Sequence, residues 1–243
     1  MSSPKISPRI LVIEHEDQCP PALVGDWLAA AGCELDVVRP YAGDEVPALE
    51  GYDAFLVLGG PMGANDDERH AWLPVVKERV RTAVASDLPT LGICLGHQLI
   101  AVALGGTVGP NPLGQQVGLL GVAWTDAAAS DPLLGPVATP RRGVQWNDDV
   151  VTALPDGATL LAATGRGEVQ AVRYAATVWG VQVHPEVDVS VLKPWADSDK
   201  GSHEARGIDQ EALLRDIDAA RAELDDAWRP LADGFARLAA APR

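Results

Sequence analysis

The chain has 243 residues, of which 47% are hydrophobic and 22% charged, and this size and composition predict one large globular α/β domain. Its 34 acidic residues outnumber the 19 basic ones, and the net charge of −15 argues against nucleic acid or an anionic membrane as a partner. Three cysteines without a CxxC pair predict no disulfide framework and no metal site, which fits a cytoplasmic location. The apolar run at residues 10–13 is too short for a signal peptide, and no stretch predicts a membrane span.

The first half of the chain alternates between strand and helix patterns. Such alternation predicts a mostly parallel sheet with helices on both faces, a flavodoxin-like or Rossmann-like three-layer fold. The predicted strands cover residues 9–14, 34–40, 53–60 and 88–94, and the predicted helices cover residues 21–31, 67–86 and 97–106.

The second half begins with short β patterns, which we expect to extend the sheet or to form a small antiparallel addition. These patterns cover residues 117–124, 143–151, 158–164 and 170–183. The polar residues 195–207 predict a mobile loop, and residues 207–240 predict a pair of helices broken near Pro230. We expect a domain at residues 1–192, with the loop and C-terminal helices of residues 193–243 packed on it. A docking surface for another protein chain is the alternative for these helices.

Residues 92–99, with the sequence GICLGHQL, place a cysteine between a predicted strand and a predicted helix. This is the pattern of a nucleophile elbow, in which the reactive residue has a strained backbone. Bulky side chains two residues before or after the cysteine would clash in so tight a turn, and Gly92 and Gly96 occupy these two positions. The helix N-terminus favours the thiolate of Cys94, although a structural cysteine in a glycine turn has the same pattern.

A base for this cysteine is available in His184, which ends the predicted strand VWGVQV. Glu186 lies two residues further on, so in an extended segment it faces the same side and can hold one imidazole nitrogen. A plain strand-end turn would also explain the HPE sequence. The remaining histidines are expected to be structural, poorly aimed or solvated: His15, His70, His97 and His203.

Three segments, GICLGHQL, GVQVHPEV and LVLGGPMG, resemble the signature segments of the class I, triad-type glutamine amidotransferases. The resemblance is greatest to the glutamine-hydrolysing domain of GMP synthase and its stand-alone relatives, and it covers about residues 9–190. It implies that Cys94 is the nucleophile, that His184 is the general base and acid, and that Glu186 orients the histidine. It also implies an oxyanion hole made by the backbone amides of Gly60 and Leu95, and no cofactor.

The same resemblance implies substrate contacts near Gln98, with Met62, Trp146 and Asn147 around the pocket. Two positions depart from the family pattern. Asn147 stands where relatives often have a histidine, and Gln116 stands where many have an acidic residue. Both changes leave the three catalytic candidates intact but bring glutamine itself into question as the substrate.

Three functions therefore remain open. The leading hypothesis is a glutamine amide hydrolase that acts alone or serves as the amidotransferase component for a separate synthetase subunit, which would accept the ammonia. The second is a γ-glutamyl peptidase or hydrolase that acts on γ-glutamyl conjugates, since the thioester chemistry is the same and only the leaving group differs. The third is a catalytically weak binding or regulatory protein.

Overall fold

The computed structural model describes residues 7–139 and 141–242, and within these ranges a nine-stranded mixed sheet forms the centre of the molecule. The strands are β1 (Arg9–Ile13), β2 (Glu34–Val38), β3 (Ala54–Val57), β4 (Thr90–Ile93), β5 (Thr107–Pro110), β6 (Gln116–Trp124), β7 (Arg141–Asn147), β8 (Asp149–Ala153), β9 (Thr159–Ala163), β10 (Val169–Ala175) and β11 (Val178–Val181). The helices are α1 (Ala22–Ala30), α2 (Trp72–Ala85), α3 (Leu95–Ala103), α4 (Val189–Ala205), α5 (Gln210–Ala219) and α6 (Arg221–Ala240).

The sheet has the order β2-β1-β3-β4-β11-β10-β9-β6-β7. Its first five strands are parallel, whereas β10, β9, β6 and β7 join by antiparallel pairing. Strands β3, β4 and β11 are completely buried, as expected of parallel strands with helices on both faces. The predicted α/β fold is thereby confirmed. Strand β5, which the sequence did not predict, pairs with β8 in a separate two-stranded sheet.

Alternate residues of β1 face opposite helical layers, which shows how the sequence builds three layers. Ile10 and Val12 pack in the cluster formed with α1 and the C-terminal helices. Leu11 and Ile13 pack in the second cluster, with α2 and α3. The carboxyl ends of β1, β3 and β4 consequently meet at one edge of the sheet between the two layers, where ligands of open α/β sheets usually bind.

The predicted mobile loop at residues 195–207 is wrong, because α4 runs through this segment to Ala205. The Asp188 side chain accepts hydrogen bonds from the backbone N–H groups of Ser190 and Val191, and this cap starts the helix. His203, expected in that loop, is buried on α4 and packs on Trp146. The segment has a polar composition, so its few buried residues, such as Ala196 and His203, did not indicate a helix in the sequence.

The predicted break near Pro230 is also wrong, since α6 continues through that proline to Ala240. The helix pair is instead divided at Ala220, between α5 and α6. Trp228 and Leu231, on either side of the proline, are fully buried in the core, and this packing offsets the hydrogen bond that proline removes.

Over the described part of the chain, no helix is long and apolar enough to cross a membrane.

Candidate active site

Cys94 lies between the end of β4 and the start of α3, as the elbow pattern predicts. Its backbone has φ 50° and ψ −108°, a conformation that costs about 1–3 kcal/mol and persists only where the surroundings enforce it. The Cys94 N–H donates to the Val181 carbonyl at 2.8 Å, and the Cys94 carbonyl accepts from the Gln98 N–H at 3.0 Å. The residue is 6% exposed. The fold thus holds this cysteine rigidly at the sheet edge.

The two glycines beside Cys94 allow strand and helix to approach closely. A Cβ on Gly92 would lie 2.5 Å from the Gly96 carbonyl carbon, and a Cβ on Gly96 would lie 2.0 Å from the Val57 carbonyl oxygen. Carbon atoms do not approach backbone atoms so closely, so both positions need glycine. The clash inferred from the sequence is therefore a property of this backbone.

His184 and Glu186 form a buried pair next to the cysteine. The Nδ1 atom of His184 lies 2.7 Å from Oε1 of Glu186, and both side chains are almost fully buried. Burial alone would lower the pKa of His184, but the negative charges of Cys94 and Glu186 raise it to about 10. The opposite nitrogen, Nε2, has no hydrogen-bond partner among the described residues, so it is free for a proton exchanged with a ligand or with sulfur.

Gln182 contacts the nucleophile directly, which the sequence reasoning missed. Its Nε2 donates to Sγ of Cys94 at 3.5 Å, and its Oε1 accepts from Nε2 of Gln98 at 3.2 Å. Gln98 also donates to the Asp149 carbonyl at 2.9 Å. Gln98, which the resemblance places near substrate, lines the cavity. Its amide nitrogen, however, donates to groups of the protein and orients Gln182. The signal for Gln182 was its position two residues before His184 on the same extended segment.

The turn after β3 brings the predicted oxyanion residues together. A Cβ on Gly60 would lie 3.1 Å from Cδ2 of Leu95, and one on Gly59 would lie 3.2 Å from Cε1 of His184. The Leu95 N–H is in the first turn of α3, where backbone amides have no intrahelical acceptor. Gly60 lines the cavity, whereas the Leu95 side chain is buried beneath it.

A cavity of about 600 Å³ opens over Cys94 and His184. The predicted residues Met62, Trp146 and Asn147 line it. Further lining residues come from the segment after β1 and from α4, and sequence reasoning missed them: Glu16, Cys19, Trp195, Ser198 and Asp199. Glu16 comes shortly after a parallel strand, and this position could have placed it at the ligand-binding edge of the sheet. The α4 residues could not be placed, because their segment was predicted to be a loop.

The two departures from the family pattern meet in space. Nδ2 of Asn147 donates to Oε1 of Gln116 at 3.1 Å and to the Asp149 carbonyl at 3.0 Å. Gln170 donates to the same Gln116 oxygen at 3.4 Å, and Gln145 bonds to Gln170. A neutral network of buried amides therefore stands where a histidine and an acidic residue would bring charges. Because amides do not titrate, this network stays uncharged at every pH.

Two other histidines are structural. His97 is fully buried, its Nδ1 lies 3.0 Å from the Tyr174 hydroxyl, and burial lowers its pKa to about 3. His15 accepts a hydrogen bond from Trp72 Nε1 at 3.1 Å, and burial lowers its pKa to about 3 as well. A lowered pKa makes both weak bases, whereas His184 is the histidine that lines the cavity together with Cys94.

The other cysteines and possible metal ligands do not add a second reactive centre. Burial raises the pKa of Cys33, and burial with the negative charge of Cys94 raises that of Cys19, so both remain thiols at neutral pH. Among residues 7–139 and 141–242, no three histidine, cysteine or acidic side chains are grouped so that they could hold a metal ion.

A strained cysteine at a strand–helix turn, backed by a histidine–glutamate pair, defines a cysteine-nucleophile site on an α/β sheet. The family model for class I glutamine amidotransferases matches residues 11–195, and the chain belongs to this family. It is accordingly an enzyme of the cysteine-nucleophile amide-hydrolase type.

Similar proteins span more than one activity within this family. One component of the glutamine-hydrolysing GMP synthase from Halobacterium salinarum is 35% identical over 142 residues, covering 58% of this chain and 70% of that one. Gamma-glutamyl peptidase 5 of Arabidopsis thaliana is 27% identical over 196 residues, covering 77% and 74%. The crystal structure of a glutamine amidotransferase from Thermotoga maritima superposes with a TM-score of 0.84 at 26% identity, covering 94% and 98%.

Proposed function

We propose that this enzyme hydrolyses the side-chain amide of glutamine or of a γ-glutamyl compound through a covalent thioester. The observation that carries the proposal is the buried pair in which Glu186 holds Nδ1 of His184 at 2.7 Å while Nε2 stays unpartnered beside Cys94. This arrangement fixes the tautomer with which an imidazole takes a proton from a thiol.

In the proposed reaction, Sγ of Cys94 attacks the side-chain amide carbon, and the N–H groups of Gly60 and Leu95 stabilise the oxyanion. His184, protonated in the resting pair, gives its proton to the leaving nitrogen. The carbon–nitrogen bond breaks, so that ammonia or an amine departs and a γ-glutamyl thioester remains. Water, activated by the neutral His184, then hydrolyses the thioester and releases glutamate.

Glutamine is the first substrate to test, with ammonia delivered to a separate synthetase subunit or released. The likeness to a component of GMP synthase supports a partner of that kind. An enzyme that serves such a partner is expected to have low glutaminase activity alone and a large increase with the partner present.

A γ-glutamyl conjugate is the second candidate, and the shape of the cavity favours it. Its volume of about 600 Å³ lies well within the range for ligands much larger than a single amino acid. The tryptophan rings of Trp146 and Trp195, the latter on α4, line the space around His184. The likeness to a γ-glutamyl peptidase supports this reading, which predicts turnover of γ-glutamyl amides without any partner.

Intact-mass spectrometry with the glutamine analogue diazo-oxo-norleucine tests the proposed nucleophile and its specificity together. We expect a single adduct on the wild type, its absence in Cys94→Ala, and its suppression by excess glutamine. Cys33→Ala is the matched control, because it removes a buried thiol that does not line the cavity. An adduct that survives in Cys94→Ala, or none at all while iodoacetamide still alkylates Cys94, would contradict a glutamine site.

A further inference from the structure

Four carboxylates line the active-site cavity, whereas no lysine or arginine of the described chain lines it. They come from separate segments: Glu16 follows β1, Asp148 and Asp149 lie at the β7–β8 turn, and Asp199 lies on α4. Within the described ranges, Asp199 forms an ion pair only with His203, at 3.9 Å, and the other three carboxylates form none. Arg206 donates to the side chain of Gln115, another lining residue, so its positive charge lies behind the cavity wall. The lining itself is therefore negative on several sides.

Two tryptophans form an aromatic corner beside one of these carboxylates. The ring centroids of Trp146 and Trp195 lie 6.3 Å apart, and the ring planes meet at 66°. Nε1 of Trp146 donates to Oδ2 of Asp199 at 2.8 Å, which holds the carboxylate next to the corner. Cations are attracted to the faces of tryptophan rings, and ammonium groups are bound in proteins by such aromatic corners.

The same cavity is a ligand site independently of its charge. The His184 side chain is more than nine-tenths buried, lines the cavity and leaves Nε2 without a partner next to the nucleophile. Burial raises the pKa of Glu16 and of Asp149, and repulsion from Asp148 adds to the effect at Asp149, which is what a group lacking a counter-ion shows. A cation on the ligand would relieve this repulsion.

We propose that the site takes γ-glutamyl amides whose leaving amine carries a second, cationic ammonium group; this inference rests on the function proposed above. Cys94 forms the thioester to the γ-glutamyl carbon, and the amide carbon–nitrogen bond breaks. The leaving nitrogen takes its proton from His184, and the distal ammonium lies at the corner of Trp146 and Asp199. Water then hydrolyses the thioester, so one amide and one water give glutamate and a diamine.

Three γ-glutamyl amides of matched length test the charge preference. They are the amides of putrescine, whose free end is cationic, of n-pentylamine, whose end is neutral, and of γ-aminobutyrate, whose end is anionic. We expect kcat/KM to fall in that order, with the cationic amide about tenfold above the neutral one. Added salt is expected to reduce the preference, because charges at a partly exposed site are screened.

Asp199→Asn with Asp197→Asn as its matched control separates local recognition from overall charge. Both substitutions remove one negative charge from α4, but Asp197 is exposed and does not line the cavity. We expect Asp199→Asn to reduce the ratio of cationic to neutral kcat/KM severalfold and Asp197→Asn to leave it unchanged. The asparagine oxygen can still accept from Trp146, so the aromatic corner is kept.

Each result has a defined meaning. Equal or greater turnover of the neutral amide, or an Asp199→Asn ratio equal to that of the control, would overturn the inference while the proposed function stands. Turnover of glutamine with none of the three amides cleaved would also overturn the inference and leave the proposed function standing. Failure of every substrate, together with no diazo-oxo-norleucine adduct on Cys94, would overturn the proposed function and the inference with it.

Discussion

Gly96→Ala is the substitution whose effect the backbone geometry defines most sharply. A Cβ at this position would lie 2.0 Å from the Val57 carbonyl oxygen and 2.7 Å from its carbonyl carbon. Relief of the clash needs a shift of about 1 Å between α3 and the buried strand β3. Overpacking of this kind costs about 1–3 kcal/mol, and we expect the upper end because the obstructing atoms are backbone.

Thermal unfolding followed by circular dichroism measures this cost. For a protein of this size, about 3 kcal/mol corresponds to a fall in Tm of roughly 6–12 °C. Gly121→Ala is the matched control: it is in β6, is exposed, and its Cβ would meet nothing within 4 Å. The control is expected to melt within about 2 °C of the wild type. If Gly96→Ala melted equally close to the wild type, the helix would be free to slide, and the rigid elbow argued above would be refuted.

Four further predictions concern Cys94 and the residues around it. Glu186→Gln should lower the single-turnover rate constant about 100-fold or more, because the neutral amide does not stabilise the imidazolium charge and can donate to Nδ1, which favours the wrong tautomer. A loss under fivefold would contradict this role. Nitrogen-detected NMR titration should show His184 charged at pH 8 and losing its proton near pH 10, while His97 stays neutral down to about pH 4. The pKa of His184 in the folded protein lies above its ordinary value of 6.5. The charged imidazole therefore contributes its full stabilisation below about pH 6.5, and this contribution is lost as the pH rises through 10. A constant free energy of unfolding between these two pH values would contradict the prediction. Gln182→Leu should slow the alkylation of Cys94 by iodoacetamide at pH 7 severalfold, because it removes a hydrogen-bond donor to the sulfur, with Gln182→Asn as the partial rescue; an unchanged rate would limit Gln182 to packing.

The catalytic candidates could be predicted from the sequence because each lies at the end of a strand whose pattern is strong. The apolar runs before Cys94 and before His184 fix both strands, and parallel pairing brings their ends together. The spacing of Glu186 from His184 made it a candidate; residues 185–186 form a turn and not the extended segment expected, yet the carboxylate still lies 2.7 Å from the imidazole. Placement could be predicted where neighbouring residues carried the information.

The family resemblance placed Met62, Trp146 and Asn147 at the cavity, but the contacts that hold its wall together could not be predicted, because they join distant positions. Trp146 and Asp199 are 53 residues apart, and Asn147 and Gln116 are 31 residues apart. The paired departures at Asn147 and Gln116 looked like independent changes in the sequence, whereas in the fold they are partners. The polar residues of α4 resembled a linker since only a few buried side chains, such as Leu192, anchor the helix.

Helix α4 has a consequence for how this enzyme can diversify. The match to the family model ends at residue 195, inside α4, so Trp195 stands at the boundary and Asp199 lies beyond it. The residues that we propose to break the amide bond and the carboxylate that we propose to bind the leaving amine are thus encoded in separate stretches of chain. Under that proposal, substitutions on the outer turns of α4 would change which amine is accepted and leave Cys94, His184 and Glu186 unchanged. Exchange of this helix between family members would then transfer the amine preference with it.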